Sequence, residues 1–336
     1  HRHDGLWFSV WAERPRREAL ISPAANRECR QIAGVCDRMH QDETTVDEGV
    51  VLSLLDSATA GSVADELESV PPSGTDNTLW RLRRASGPDL VARLPRRQLG
   101  ADLVQHEHRW LPDLAHRLPI PIAAPLRTGA PSDAYPWAWS ICPWFDGEVA
   151  ADSDLGDPAT EARRLGDFVA AFHTPAPPHA PDNPLRGQPM AYLRPRIRHN
   201  IALLGSIIDG GAVATRANEL LDVDDWGGPP LWLHGDLHTA NLIVRNGEIT
   251  AVLDLGDITA GDPAVDLAVA WMLFGEGDRT VFRAASGSSF VVDDAMWQRG
   301  QAWALHFALL YLLHAADSER FARMGRSLLA AVVAAG

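Results

Sequence analysis

The spacing of apolar and polar residues divides the chain into a strand-rich first part and a helical second part. The two-residue period of a β-strand predicts strands at 67–70, 78–82, 89–94, 122–126 and 138–141. The period of an α-helix predicts two helices in the same part, at 46–57 and 101–118. Beyond it the helical period predominates and predicts helices at 158–173, 190–208, 212–222, 262–274, 293–316 and 318–334.

This order of elements predicts an α+β protein in which a small strand-rich lobe precedes a larger, mainly helical lobe. The stretch CPWFDG, residues 142–147, is interpreted as the connector between the lobes. The stretch TPAPPHAPDNP, residues 174–184, is interpreted as a loop because it is rich in proline and asparagine.

One hairpin is predicted in the second part, within LWLHGDLHTANLIVRNGEITAVLDLGD, residues 231–257. The pair Asn246-Gly247 between two apolar runs favours a type I′ turn. Counting outward from the turn pairs Asn241 with Val252. Asp254 then shares a sheet face with Asn241 as its diagonal neighbour, at about 7–8 Å. Amide and carboxylate oxygens at that separation suit Mg²⁺, so we predict a magnesium site at Asn241 and Asp254.

The charge balance narrows the classes of partner. The 336 residues include 30 basic and 44 acidic ones, which gives a net charge of −14. Such a charge disfavours nucleic acid and anionic membranes as partners and is compatible with a cationic small molecule. All the basic residues are arginines, and the absence of lysine excludes a pyridoxal Schiff base, a lysine nucleophile and a P-loop.

The three cysteines are Cys29, Cys36 and Cys142, and they form no C-x-x-C pair. This disfavours a disulfide framework and a cysteine-rich zinc site, and it favours a reducing cytoplasm. No apolar run reaches the roughly 18 residues of a membrane span. Residues 1–38 show no sustained period, and we interpret them as an extension of uncertain status before Met39.

The order of polar residues in the hairpin region predicts phosphoryl-transfer chemistry. Asp236 precedes Asn241 by five residues, the spacing of the protein-kinase catalytic loop, in which the aspartate receives the hydroxyl proton and the asparagine holds a metal ion. Asp254-Leu255-Gly256 matches the later aspartate that binds the second metal position. Each aspartate alone is equally typical of a turn or a helix cap, and it is the ordered set that favours catalysis.

The stretch HGDLHTANLIV followed by LDLGDITAGDPAVDLA resembles the signature of the aminoglycoside phosphotransferase/choline kinase family. GTDNTLWRL, LVARLPRR and YPWAWSICPWFDGE resemble the N-lobe and hinge of the same family, so the resemblance covers about residues 47–334. It implies a two-lobed protein-kinase-like fold, with a nucleotide-binding N-lobe at 39–142 and a catalytic, substrate-binding C-lobe at 143–336.

The resemblance also implies an activity. It is the ATP- or GTP-dependent phosphorylation of a hydroxyl on a small molecule, first of all an aminoglycoside-type antibiotic. Asp236 would be the base, and Asn241 and Asp254 would bind Mg²⁺. The alternatives are a kinase for macrolides or for metabolites such as amino alcohols and sugars, a nucleotide-binding pseudokinase, and a zinc hydrolase that uses His234, His238 and Asp254. The sequence makes no prediction about the oligomeric state.

One departure from the family concerns the lysine that kinase-like enzymes place on the third strand. In DLVARL the strand alternation puts Val91 and Arg93 on one face, and Arg93 is the candidate replacement. Glu107 falls on the apolar stripe of the helix at 101–118, where a carboxylate needs a cation. We therefore predict an Arg93–Glu107 ion pair. A solvated Arg93 and a Glu107 paired with Arg109 are the alternatives.

Further nucleotide contacts are predicted in the N-lobe and the connector. Ser73, Gly74 and Thr75 are candidates for covering the phosphates with backbone N–H groups. Cys142 and Trp144, in the hinge stretch, are candidates for contacting the nucleotide.

Three polar residues near the catalytic motif are assigned supporting roles instead. His234 is expected to be a buried, hydrogen-bonded histidine that supports the loop. Asp262 and Asp266 are expected to cap a helix or to brace the catalytic loop.

Overall fold

The computed structural model describes residues 44–58, 63–70, 77–288, 291–316 and 318–335. The interpretation of residues 1–38 and the roles predicted for Ser73, Gly74 and Thr75 lie outside the described residues.

A five-stranded antiparallel sheet forms the first part of the structure. Its strands are β1 (Glu66–Ser69), β2 (Asn77–Arg83), β3 (Leu90–Pro95), β4 (Arg127–Gly129) and β5 (Trp139–Pro143). They are ordered β1-β2-β3-β5-β4, so β3 lies in the middle, and every one of its residues is buried. Four of the five predicted strands are therefore present.

The strand predicted at 122–126 is wrong. Ile122 makes one isolated parallel bridge to Val252, and β4 begins only at Arg127. Pro121 precedes this stretch and Pro125 lies within it, and neither has an N–H to donate to a strand ladder.

Two helices accompany the sheet, α1 (Glu48–Ala58) and α2 (Gln98–Ala115). Helix α2 continues through Pro112 and contacts β3 and β5. Its buried positions recur with the helical period and include Val104, Glu107 and Leu111. A carboxylate is thus carried against the central strand of the sheet.

The remainder of the structure is mainly helical, as the sequence predicts. Its helices are α3 (Pro158–Phe172), α4 (Met190–Leu204), α5 (Gly210–Leu221), α6 (Ala264–Leu267), α7 (Val269–Leu273), α8 (Glu276–Ser286), α9 (Asp294–Leu313) and α10 (Glu319–Ala334). Helix α9 contacts α4, α5, α6 and α10. It is buried on all sides, which explains why apolar residues surround its axis.

The predicted helix at 262–274 is divided into α6 and α7, and α8 was not predicted. Helix α8 carries few apolar residues, and Phe282 and Ala285 form its buried side against α3. At Gly166 of α3 an added Cβ would lie 2.6 Å from the Ala285 Cβ, so a glycine permits the close approach of the two helices.

Short strands form two small sheets in the region of the predicted hairpin. β6 (Glu148–Val149), β8 (Leu242–Arg245) and β9 (Glu248–Val252) form a three-stranded sheet, and β7 (Leu231–Leu233) pairs with β10 (Thr259–Gly261). Within the described residues, no helix has the length and apolar character to span a membrane.

The predicted pairing of Asn241 with Val252 is wrong by one residue. A β-bulge between Ile243 and Val244 shifts the register, so Val252 pairs with Leu242 instead. Asn241 accepts a backbone hydrogen bond from Leu253 at 2.8 Å. Asp254 then takes a positive φ of 55°, which ends the strand alternation. A turned backbone, and not a shared sheet face, therefore sets the direction of Asp254.

Candidate active site

Hydrogen bonds to Asp266 of α6 fix the loop between β7 and β8, which is the predicted catalytic loop. Asp266 Oδ2 accepts hydrogen bonds from the His234 backbone N–H at 2.8 Å and from His173 Nε2 at 2.9 Å, and its Oδ1 accepts one from the Gly235 N–H at 2.9 Å. The predicted bracing role of Asp266 is confirmed. Asp262 caps α6 by accepting from the Ala264 N–H at 3.1 Å.

The two histidines of the loop act as supports, with their ring nitrogens engaged. His234 Nδ1 accepts from the Asp236 N–H at 3.2 Å, which leaves Nε2 to donate to the Leu253 carbonyl at 3.0 Å. His238 Nδ1 accepts from the Ala240 N–H at 3.1 Å. Burial lowers the pKa of His234 and keeps the ring neutral. The buried, hydrogen-bonded His234 predicted from the sequence is confirmed.

These contacts do not support the zinc hydrolase alternative, since the ring nitrogens are already used within the loop. The described residues also contain no cluster of three or more His, Cys, Asp or Glu arranged to hold a metal ion.

Asp236 lies buried in this loop between two basic side chains. Its Oδ1 accepts a hydrogen bond from Arg186 Nη2 at 3.0 Å, and its Oδ2 lies 3.3 Å from His238 Nε2. Burial alone would raise the pKa of Asp236, but Arg186 and then His238 outweigh it and lower the pKa to about 2. Asp236 is therefore a carboxylate at neutral pH, held in one orientation.

Arg186 was not predicted from the sequence, although it contacts Asp236 directly. It lies in a loop that the sequence marks only by Pro, Asn and Gly, and the tertiary fold alone brings that loop over the catalytic loop. Its Nε lies 3.9 Å from Asp257 Oδ2. Asp257 in turn accepts from Asn183 Nδ2 at 2.7 Å.

Asn241 and Asp254 present oxygen atoms that suit a hard cation. Asn241 Nδ2 donates to the Asp236 carbonyl at 3.0 Å, which leaves Asn241 Oδ1 as the free end of the amide. Asn241 Oδ1 and Asp254 Oδ1 are both buried, and neither accepts a hydrogen bond within the described part of the chain. Unsatisfied buried oxygens of this kind are the ligands that Mg²⁺ prefers, so the residues present fit the ion.

The charges around Asp254 also favour a cation. Burial raises the pKa of Asp254 well above its usual value; Arg93 opposes the rise, and the charges of Glu107, Asp236 and Asp257 add to it. Four carboxylates thus face the two guanidinium groups of Arg93 and Arg186. When all are ionised, two negative charges remain uncompensated, the charge that one divalent cation balances.

The predicted ion pair between Arg93 and Glu107 is present and almost fully buried. Arg93 Nη1 donates to both carboxylate oxygens of Glu107, at 3.0 and 2.9 Å, and the two side chains are 3% and 1% exposed. Arg93 Nη2 lies 3.8 Å from Asp254 Oδ1, beyond hydrogen-bond distance. Arg93 therefore connects α2 to the residues after β9, and its buried Nε has no hydrogen-bond partner within the described part of the chain.

Cys142 belongs to a buried apolar cluster between the five-stranded sheet and the hairpin, and Trp144 packs against that cluster. Cys142 lies opposite Val91, and burial raises the pKa of its thiol to about 12. The Trp144 ring packs at the margin of the cluster, under the Arg81 guanidinium, and its Nε1 donates to Asp146 at 2.9 Å. The members of the cluster are Leu79, Val91, Ala123, Cys142, Val149, Ile243, Ala251 and Leu253.

A cavity of 570 Å³ adjoins the catalytic loop on the side of α7 and α10. Its wall includes Thr239 from the loop and Tyr311, whose ring centroid lies 6.1 Å from that of His238. The other lining residues are Ala150, Ala151, Ser153, Asp154, Leu155, Pro158, Met272, Leu273, Arg323, Met324, Ser327 and Leu328. The lining mixes apolar and polar groups, and one carboxylate and one guanidinium belong to it.

The fold and the sequence match known phosphotransferases. The chain shares 25% sequence identity with the macrolide 2′-phosphotransferase MphH from Brachybacterium faecium, with a TM-score of 0.55 over 83% of this chain and 98% of that one. The GDP and kanamycin complex of APH(2″)-IIIa gives a TM-score of 0.60 at 19% identity, over 85% and 99% of the two chains. A type I macrolide 2′-phosphotransferase gives 0.56 at 19% identity, over 85% and 98%.

The predicted protein-kinase-like α+β fold is therefore confirmed. A profile described as the phosphotransferase enzyme family (APH) matches residues 68–303, more than two thirds of the 336 residues. The chain belongs to this phosphotransferase family and is a small-molecule kinase.

Proposed function

We propose that this kinase transfers the γ-phosphoryl group of ATP or GTP to a hydroxyl of an antibiotic-type small molecule, with Mg²⁺ as cofactor. The observation that carries the proposal is the convergence of Asp236, Asn241 and Asp254 beside the buried Arg93–Glu107 pair. This arrangement brings a proton acceptor, two oxygen ligands and a fixed cation to one side of the catalytic loop.

Asp236 is the proton acceptor in this proposal. The acceptor hydroxyl gives its proton to Asp236 Oδ2 as its oxygen forms the new bond to the γ-phosphorus. The bond from the γ-phosphorus to the bridging oxygen breaks, and its electron pair leaves with the nucleoside diphosphate. Because the low pKa makes Asp236 a weak base, its main contribution is to orient the hydroxyl, and the proton moves late in the transfer.

Arg93 takes the place of the usual lysine at the phosphates. Nη1 is occupied by Glu107, so Nη2 is the nitrogen that would bind a phosphate oxygen. Asn241 Oδ1 and Asp254 Oδ1 would hold the magnesium ion, which supplies charge neutralisation at the transferred phosphoryl group.

We place nucleotide binding in residues 39–142, and catalysis and acceptor binding in residues 143–336. The base would lie against the apolar cluster at Cys142, with Trp144 at its margin. A nucleoside triphosphate donor agrees with the cytoplasm as the compartment.

Two classes of acceptor are candidates. An aminoglycoside is the class that the sequence resemblance implies, and the net charge of −14 is compatible with a polycation. A macrolide is the second candidate, because Asp154 is the one carboxylate among the residues that line the cavity beside Thr239. A polycation requires several carboxylates, whereas a large apolar ligand with one amine requires only one.

The test is steady-state phosphorylation of aminoglycosides, macrolides and amino alcohols with ATP and with GTP. Asp236→Asn is expected to lower kcat by about 10²–10⁴-fold, the usual range for loss of a general base, while nucleotide affinity is retained. Asp209→Asn, at the N-terminus of α5, is the control and should leave kcat unchanged. No turnover of any acceptor, or unchanged turnover in folded Asp236→Asn, would contradict the proposal.

Leu328→Trp tests whether the acceptor binds in the cavity, because the larger side chain fills part of it. If the cavity binds the acceptor, KM for that acceptor rises at least tenfold, whereas KM for the nucleotide stays the same. An unchanged acceptor KM would place the acceptor elsewhere.

A further inference from the structure

Arg186 is a buried guanidinium that joins the catalytic loop to the loop before α4. Only 3% of its surface is exposed, and its Nη2 donates to Asp236 Oδ1 at 3.0 Å. Its Cζ lies 5.2 Å from the centre of the Phe307 ring, so an aromatic face of α9 supports the guanidinium plane. No element of the predicted mechanism uses this residue.

The hydrogen bond from Arg186 makes the two oxygens of the Asp236 carboxylate different from each other. Oδ1 already accepts a hydrogen bond from Arg186 at 3.0 Å, whereas Oδ2 has only the longer 3.3 Å contact with His238 Nε2, so Oδ2 is the better-placed oxygen for a hydroxyl. A free carboxylate rotates and offers either oxygen. A carboxylate held on one oxygen offers the other in a fixed direction, which lowers the entropic cost of aligning the acceptor.

Arg186 is itself held by a second carboxylate, that of Asp257. Its Nε lies 3.9 Å from Asp257 Oδ2, and Asp257 Oδ1 accepts from Asn183 Nδ2 at 2.7 Å. The backbone also allows this approach. Gly235 has a φ of 83°, and a Cβ there would lie 2.6 Å from the Asp257 carbonyl oxygen and 3.4 Å from the Arg186 Cβ. One guanidinium thus connects two carboxylates, and a glycine leaves space for the connection.

We propose that Arg186 is a positioning residue for phosphoryl transfer, which holds the catalytic carboxylate through Oδ1 and thereby sets the direction in which Oδ2 meets the acceptor hydroxyl. This inference rests on the proposed role of Asp236. It predicts that the two residues act as one unit, so removing Arg186 matters only while Asp236 is present.

The experiment compares Arg186→Met and Arg186→Lys with the wild type, using the acceptor that the panel assay identifies. Arg186→Met is expected to lower kcat by about 10²-fold, because small misplacements of a reacting group have effects of that size. KM for the nucleotide should remain within about twofold. Arg186→Lys should recover part of kcat, since an ammonium group supplies the charge but cannot contact both carboxylates as a planar fork does.

The matched control is Arg299→Met. Arg299 is as buried as Arg186, and its Nε donates to Asp262 at 2.8 Å, away from Asp236. Its loss should lower the melting temperature by a similar amount and leave kcat of the folded protein unchanged. A fall in kcat confined to the Arg186 variants therefore separates positioning from general stability.

The double variant Arg186→Met with Asp236→Asn completes the test. If Arg186 acts through Asp236, the double variant has the same kcat as Asp236→Asn alone. Multiplicative losses in kcat, an unchanged kcat in Arg186→Met, or a raised acceptor KM without loss of kcat would each overturn the inference. If Arg186→Met does not fold, a wild-type kcat in Arg186→Lys would overturn it as well. The Asp236→Asn variant alone tests the proposed function, so the two failures are distinguishable.

Discussion

Replacing Arg93 by methionine removes the cation from the most deeply buried ion pair of the sheet. Glu107 is 1% exposed and accepts two hydrogen bonds from Arg93 Nη1, so the substitution strands its carboxylate in an apolar helix face. Breaking a buried pair from one side costs about 3–5 kcal/mol. A chain of this size loses roughly 2 °C of melting temperature per kcal/mol, so we expect Tm to fall by about 6–10 °C.

Two further measurements separate the ion pair from simple loss of packing. Burial raises the pKa of Glu107 while Arg93 opposes the rise, so without Arg93 the carboxyl takes up a proton more readily. The stability gap between wild type and Arg93→Met should therefore narrow as the pH falls from 8 to 5. Arg93→Met combined with Glu107→Gln should recover at least about 2 kcal/mol of the loss, because no charge is then stranded.

The control for the stability measurement is Arg83→Met on the same sheet. Arg83 is 45% exposed and lies 3.5 Å from Glu68 and 3.4 Å from Asp89, which Arg81 also contacts, so its loss should cost about 1 kcal/mol or less. Nucleotide affinity should fall in Arg93→Met and should not recover in the double variant. Additive stability losses, or nucleotide affinity that recovers with stability, would refute the reasoning.

Three other substitutions test separate parts of the structure. Asp254→Asn should weaken magnesium-dependent nucleotide binding at least tenfold by calorimetry, and equal binding with and without EDTA in the wild type would contradict the metal site. Burial, with Arg186 and Arg196 nearby, lowers the pKa of His306 from 6.5 to about 3. Between these two pH values, His306 is therefore protonated in the unfolded chain and neutral in the folded chain. Wild-type stability should therefore fall relative to His306→Phe by about 1.4 kcal/mol per pH unit below 6.5, measured by urea unfolding. Gly235→Ala should cost more than about 1 kcal/mol, since its φ of 83° and the 2.6 Å contact both oppose a Cβ.

The residues that the sequence identifies correctly are those whose chemistry is visible in local spacing. His234 and Asp266 are hydrogen-bonded as expected, and the Arg93–Glu107 pair follows from a strand alternation and a helix stripe on two neighbouring elements. Each of these inferences needs only one period and one rule about buried charge. The four correctly predicted strands of the five-stranded sheet follow from the same kind of local period.

The failures arise where a single residue or a distant loop decides the geometry. One extra residue in β9 makes the bulge and changes the pairing of Asn241. No residue type in the sequence indicates where this bulge lies. Arg186 reaches Asp236 across 50 positions of sequence, through a loop that has no period of its own. Helix α8 has too few apolar residues for its helical period to be recognised in the sequence, because its burial depends on the α3 surface that it covers.

The absence of lysine from this chain has a consequence for chemical probes. Nucleotide analogues that acylate or sulfonylate an active-site amine require a lysine side chain, and this chain has none. Arg93 is no substitute as a nucleophile, because its pKa is raised further by Glu107 even though burial opposes the rise. Cys142 is equally inert, since a thiol with a pKa of about 12 is almost wholly protonated in the cell. Proteome-wide profiling with lysine-directed nucleotide probes would therefore leave this kinase unlabelled at its active site, however active it is.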